Sequence, residues 1–275
     1  MLAGALRHLI PDCEVEHHDL SMLHDPGNQH AVAEAYGGCD HVISVRAAPE
    51  FGPLQDDVLA TRVKALHFFP GLVFGGFHPD TVYVPGGHGM LPGLTQHYHS
   101  RIAIGGFLAG RDEVATAALY NALVFGRLGY FDAYARERAL AGWHFAQDGI
   151  AIEPLIDRWR ERGCFMHSTN HPMAWAYSDV AVAICRRIGL IDATAPADPG
   201  EIVDDLAMHS THPVLPPLAA RLGVPAQSQF KLPGHAGRQV ALEEFLAAEF
   251  EAFATAPRED LLAVPGVPEL VAMLA

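Results

Sequence analysis

The sequence predicts an α/β fold: a largely helical single domain, residues 1–275, around a small, mainly parallel sheet whose first strand is missing. Three observations carry this expectation. Short apolar, strand-like runs alternate with stretches of helical spacing. Two loops rich in polar residues, Gly or Pro follow directly on presumed strand ends, where open sheets place their ligands. The chain also opens on a helix, whereas a first strand usually feeds the first helix of such a fold through a ligand-binding turn. At 275 residues, half of them hydrophobic, it is long enough to bury a sizeable core.

Residues 1–10 read as a helix with Leu2, Leu6 and Leu9 on one stripe, Pro11-Asp12 breaks it, and 14–20 reads as a short strand. His41-Val-Ile-Ser-Val45 follows a Gly-Gly-Cys-Asp turn and has the look of a buried strand, and 72–74 reads as another. Residues 77–96 hold too much Gly and Pro for regular structure and form the first candidate site loop. Helical spacing returns over 98–138 and 150–162, with Asp112-Glu113 suited to a first helical turn. Cys164-Phe-Met166 is strand-like and leads into the polar loop His167-Ser-Thr-Asn-His-Pro172, the second candidate, before a helix over 173–188. Residues 193–200 form a connector, and a final helix spans 242–255 after the Pro233-Gly234 turn.

Eighteen Lys and Arg against 32 Asp and Glu give a formal charge of -14, which argues against a nucleic-acid partner. On so acidic a chain, the few Arg and Lys beside a site loop become informative for an anionic ligand. Cys13, Cys39, Cys164 and Cys185 have no CxxC spacing, so neither a zinc knuckle nor a disulfide framework is indicated and a reducing compartment fits. Arg7, His8 and Pro11 interrupt the N-terminus too early for a signal peptide, and no run reaches the ~18 uncharged apolar residues of a membrane span. The expectation is a cytoplasmic protein. Neither a Walker A loop nor G-x-G-x-x-G after a strand occurs, which disfavours nucleotide hydrolysis and a Rossmann dinucleotide site.

Among seventeen histidines, His8, His17, His18, His24 and His30 fall in a polar stretch and are read as solvated surface. In Phe77-His-Pro-Asp80, Pro79 stiffens a turn that sets an imidazole near a carboxylate; Asp80 as a turn cap with His78 packed on it is the competing reading. Tyr98-His-Ser-Arg101 stands at a helix entry, where hydroxyl, imidazole, guanidinium and free N–H groups suit a phosphate; the plain alternative makes Ser100 an N-cap. His167-Ser-Thr-Asn-His-Pro172 offers groups able to polarise a carbonyl or deprotonate a hydroxyl. Ser168 lacks a nucleophile elbow. His97, His99, His78, His167 and His171 contain no H-E-x-x-H, and no metal is expected.

Taken in order, Phe74-Gly-Gly-Phe-His-Pro-Asp80, Tyr98-His-Ser100, Leu128-Gly-Tyr-Phe-Asp132, Phe165-Met-His-Ser-Thr-Asn-His-Pro172 and Phe230-Lys231 resemble the WcbI-type polysaccharide biosynthesis proteins. Pro216-Pro-Leu-Ala-Ala-Arg-Leu-Gly223 and Leu242-Glu-Glu-Phe245 resemble the end of that family, so the likeness runs over nearly the whole chain. It implies a helical fold around a small sheet that binds coenzyme A and transfers an acetyl group to a sugar of a capsular polysaccharide. Members of the family open with a strand ending in a Gly-Asn-Cys-Gln loop. This sequence lacks that loop, which Cys13 and Cys39 do not replace, and the expectation is a late start codon or a genuine loss.

The resemblance implies an acyl-CoA-dependent O-acetyltransferase with His78 or His171 as general base, His99 in reserve, and Asp80 orienting one of them. Ser168 and Asn170 would donate to the oxyanion. Arg101, Lys231 and Arg46 would meet the cofactor phosphates, with Tyr98 and Ser100 in the same loop. The rival readings are a glycan esterase or other hydrolase, serine- or metal-dependent, and a non-catalytic protein that binds a sugar or CoA.

Overall fold

The computed structural model describes residues 1–18, 22–23, 25–47, 49–87, 89–234 and 237–275. The chain divides into two compact units, one of Met1–Leu72, Ala141–Leu155 and Ala174–Val203, the other of Val73–Leu140, Ile156–Met173 and Asp204–Ala275. Helices supply most of the regular structure.

In the first unit the helix Leu2–Leu9 buries Ala5 and Leu6 and packs on the helix Ala174–Arg187. The helix Pro26–Gly37 starts where Asp25 accepts the Gly27 N–H at 2.8 Å and Pro26 occupies the first turn. It shares a core with Val42, Leu54 and Leu59. Strands Val42–Ser44 and Leu66–Phe68 pair in parallel, Ile43 opposite His67. The second strand thus lies before Pro70, not at the expected 72–74, because a proline cannot donate to the ladder and ends the pairing. Residues 14–18 carry no regular structure; residues 19 and 20 of the expected early strand, and His24, lie outside the described residues.

In the second unit the helix Arg101–Leu108 is buried almost throughout. It can be approached closely because Gly105 faces the helix Val267–Leu274; a Cβ there would stand 2.5 Å from Leu270. Val82, Ile104, Leu246, Phe253, Leu261 and Val267 build the core between this helix and Leu242–Thr255. The helical stretch expected over 98–138 is cut into Arg101–Leu108, Glu113–Ala117 and Ala122–Arg127 before Ala133–Gln147 begins. The cuts have local causes: Asp112 and Asn121 cap new helices, and Gly110 and Gly129 take left-handed φ of 71° and 70°. The helix Leu242–Thr255 forms as expected but is not the last, since Pro257 and Gly266 (φ 82°) introduce Arg258–Leu262 and Val267–Leu274.

Among the described residues there are five two-stranded sheets, of which one is parallel and four antiparallel, so the expected mainly parallel sheet does not hold. Short connections explain this. Met166–Ser168 and His171–Pro172 are joined by two residues, too few for the crossover that a parallel pair needs. The polar loop expected over 167–172 is therefore a tight hairpin, with an irregularity between Met166 and Ser168. Among the described residues no helix is long and apolar enough to cross a membrane.

Candidate active site

All of the site histidines lie in the second unit. Its frame is the antiparallel pair Thr81–Val82 and His99–Ser100, which sets Thr81 opposite Ser100 at the start of the helix Arg101–Leu108. Ser100 caps that helix by accepting the Ala103 N–H at 3.0 Å. Asp80 adds a second cap: one carboxylate oxygen accepts the Ile102 N–H at 3.0 Å and the Tyr130 hydroxyl at 2.8 Å, and the other accepts the Ser100 hydroxyl. Tyr120 brings its hydroxyl to 2.5 Å from Ser100 Oγ. Burial raises the Asp80 pKa, against the donors Ser100, Tyr130 and Ile102 N–H and the Arg101 charge. Asp80 bonds no imidazole among the described residues, and both it and Ser100 are buried, so their geometry is that of a helix cap.

His99 is fully enclosed, with Nδ1 3.0 Å from Glu249 Oε1 and Nε2 donating to the Leu91 carbonyl at 3.0 Å. Glu249, also fully buried, accepts the Ser100 N–H at 3.1 Å. Burial opposes a charge on His99, but the hydrogen bond and charge of Glu249 and the Leu91 carbonyl outweigh it and hold the imidazole above its ordinary pKa. With both ring nitrogens occupied, His99 has no free atom to offer a substrate.

His78 Nε2–H donates to the His212 carbonyl at 3.0 Å, which leaves Nδ1 as a bare, buried lone pair without a partner. His212 has Nδ1 3.2 Å from Thr81 Oγ1 and an equally orphaned Nε2. Both line a cavity of about 20 Å³, walled by Phe77, Phe125, Phe230 and Phe245. Burial lowers His78 to about 4, against the raising effect of the His212 carbonyl. Burial, followed by the neighbouring imidazoles, lowers His212 to about 3. Both rings are neutral at physiological pH.

His171 is the half-buried member. Its Nδ1 lies 3.1 Å from Ser168 Oγ and 3.3 Å from the Tyr98 hydroxyl. Those hydroxyls both donate to Asn170 Oδ1, at 3.4 and 2.5 Å, and Asn170 Nδ2 donates to the Tyr83 hydroxyl at 3.2 Å. With their hydrogens directed to Asn170, Tyr98 and Ser168 accept from His171, so Nδ1 carries the proton and Nε2 keeps its lone pair. Burial, then the nearby His209 and His167, lowers His171 to about 4, which keeps it neutral. Ser168 is fully buried, so its hydroxyl orients the ring and does not reach an ester carbon. His209 stacks on His171 with centroids 4.6 Å apart.

Of the residues named from the sequence, Tyr98, Ser168, Asn170 and His171 therefore meet, whereas His78, Asp80, His99 and Ser100 are buried in contacts of their own. Lys231 sends its ammonium to the carbonyls of Ala207, His209 and Gly234 and so braces the His209 segment. Arg46 belongs to the first unit, where it bonds Asp148 and Asp56 and lies 4.5 Å over the Phe68 ring. Arg101 lies 5.7 Å over Tyr130, its Nε buried without a partner. Glu249, Tyr120, His209, His212 and Gln96 escaped the sequence reading. Only Gln96 carries a local mark, a left-handed φ of 67° on a non-glycine residue, and that is visible only in coordinates.

Histidine and tyrosine side chains gathered in this way on a small helical α/β frame mark a candidate enzyme site. The family model described as "Polysaccharide biosynthesis enzyme WcbI" matches residues 2–193, and the chain belongs to that family of enzymes. A solved structure of WcbI, described as a novel polysaccharide biosynthesis enzyme in its native form without a disulfide bond between CoA and a cysteine, has the same fold. It matches at a TM-score of 0.71 and 16% identity, over 98% of this chain and 91% of that one. No curated protein matches the sequence.

Proposed function

We propose that the chain transfers an acetyl group from acetyl-CoA to a sugar hydroxyl of a cell-surface or capsular polysaccharide, with His171 as general base. One observation carries the assignment: the hydroxyls of Tyr98 and Ser168 accept from His171 Nδ1–H, so its Nε2 is held bare at a partly open position. His78 is enclosed and His99 has both nitrogens engaged, so of the three histidines named as candidate bases His171 is the one that a hydroxyl can reach. Family membership and the CoA named for the WcbI structure support the choice of acyl donor.

Acetyl-CoA supplies an activated acyl group and a thiolate leaving group. Its phosphates need a cation, and the fit is partial: Lys231 and Arg46 are already committed, whereas the Arg101 side chain has its Nε without a hydrogen-bond partner among the described residues. Arg101 is therefore the residue assigned to them. His171 accepts the hydroxyl proton, and Tyr98, Ser168 and Asn170 hold its tautomer. Calorimetric titration with CoA and acetyl-CoA tests the donor, and acetyl transfer by His171→Ala tests the base. Absence of binding, or full activity in the variant, would overturn the reading.

A further inference from the structure

An oxyanion needs a donor, and the two side chains expected to supply it are spent. Ser168 gives its hydroxyl hydrogen to Asn170 Oδ1, and Asn170 gives its amide to Tyr83. Beside them stands His209, half-buried and stacked on His171 with planes 25° apart. Its tautomer is fixed from the far side. Gln96 Oε1 accepts from the Ser210 backbone N–H and hydroxyl, both at 3.3 Å. A backbone N–H can only donate, so the amide orientation of Gln96 is settled and its Nε2 donates to His209 Nδ1, 3.3 Å away. His209 Nδ1 is therefore the acceptor and Nε2 carries the hydrogen, with no partner among the described residues.

Two stacked imidazoles thus have opposite tautomers, one with a bare Nε2 and one with Nε2–H. Resting on the acetyl-transfer reading, we infer that His209 is a catalytic residue, whose Nε2–H binds the thioester oxygen as negative charge develops there. As the acceptor oxygen bonds to the carbonyl carbon, its proton passes to His171 Nε2. His209 holds the oxyanion by a hydrogen bond and keeps its own proton. His171 then returns the transferred proton to sulfur as the carbon–sulfur bond breaks, so both rings end as they began. Gln96, kept in its left-handed conformation, and Lys231, bonded to the His209 carbonyl, are positioning residues for this donor.

The test follows thiol release from acetyl-CoA, with water or a panel of sugars as acceptor, in wild type, His209→Ala and His209→Gln. The His209→Ala variant should lose roughly 100-fold or more in kcat with little change in KM for acetyl-CoA. The Gln variant, which keeps an N–H donor, should recover part of the loss. Histidine ¹⁵N spectra give a readout independent of turnover: His171 should show a protonated Nδ1 and His209 a protonated Nε2, and Gln96→Leu should erase the His209 preference. Like tautomers on both rings, or an active wild type indifferent to His209→Ala, would overturn the role of His209 alone. A wild type that neither binds nor cleaves acetyl-CoA would overturn the acetyl-transfer reading and this inference with it.

Discussion

His99 and Glu249, 150 positions apart, form a fully buried pair with His99 Nδ1 3.0 Å from Glu249 Oε1, and Glu249 also receives the Ser100 backbone N–H. The pair ties the helix Leu242–Thr255 to the strand that ends at the site helix. Removing one partner strands the other without water, so Glu249→Leu should cost about 3–5 kcal/mol in urea unfolding. The double variant His99→Leu with Glu249→Leu should cost less than Glu249→Leu alone. Additive losses would show that the pair is not coupled.

Acid should expose the enclosed imidazoles. His78 and His212 are lowered to about 4 and about 3, so both stay neutral when folded while an unfolded chain protonates them near 6.5. Their stabilising contribution is present above about pH 6.5 and is lost as pH falls toward 4. Each contributes a slope of about 1.4 kcal/mol per pH unit in that window. Asp80 and Glu249, both raised, act with the opposite sign, so the clean comparison is wild type against His212→Gln. The variant should lose stability less steeply with acid, by about one proton; parallel curves would contradict the assignment.

The relay behind His171 predicts a split in kinetics. Tyr98→Phe removes the hydroxyl that bridges His171 and Asn170 but keeps the ring against His212. It should lower kcat roughly tenfold, less than the roughly 100-fold or more expected for loss of the base itself, with KM for acetyl-CoA nearly unchanged. A change confined to KM would place Tyr98 in binding instead.

For the cofactor phosphates, Arg101→Gln should weaken CoA binding roughly tenfold or more, the worth of one charge-assisted hydrogen bond, as measured by calorimetry on protein whose melting shows it folded. Lys231→Gln should leave CoA affinity nearly unchanged and disturb the His209 segment, because its ammonium serves three carbonyls there. Equal effects of the two substitutions would contradict this division.

Local signals carried much of the fold. Pro11, the turn before Val42, the Asp112 cap and the apolar spacing of 242–255 mark their elements because each acts within a few residues. The polar cluster of the His167–Pro172 segment was legible for the same reason, with Asn170 and Ser168 one and three positions from His171. The rest depends on distant pairings. Glu249 reads as one more acidic residue of an amphipathic helix until His99 is set against it. His209 gains its role from Gln96, 113 positions away. Sheet direction was misread because strand and helix alternation does not reveal how short the connecting turns are.

The most direct test of the account is thiol release from acetyl-CoA by wild type and His171→Ala, with a panel of polysaccharide sugars as acceptors. Wild type should release thiol with acetyl ester appearing on one sugar, and the folded variant should lose roughly 100-fold or more of that rate. Equal rates in the two proteins, or no release by wild type with any acceptor, would contradict it.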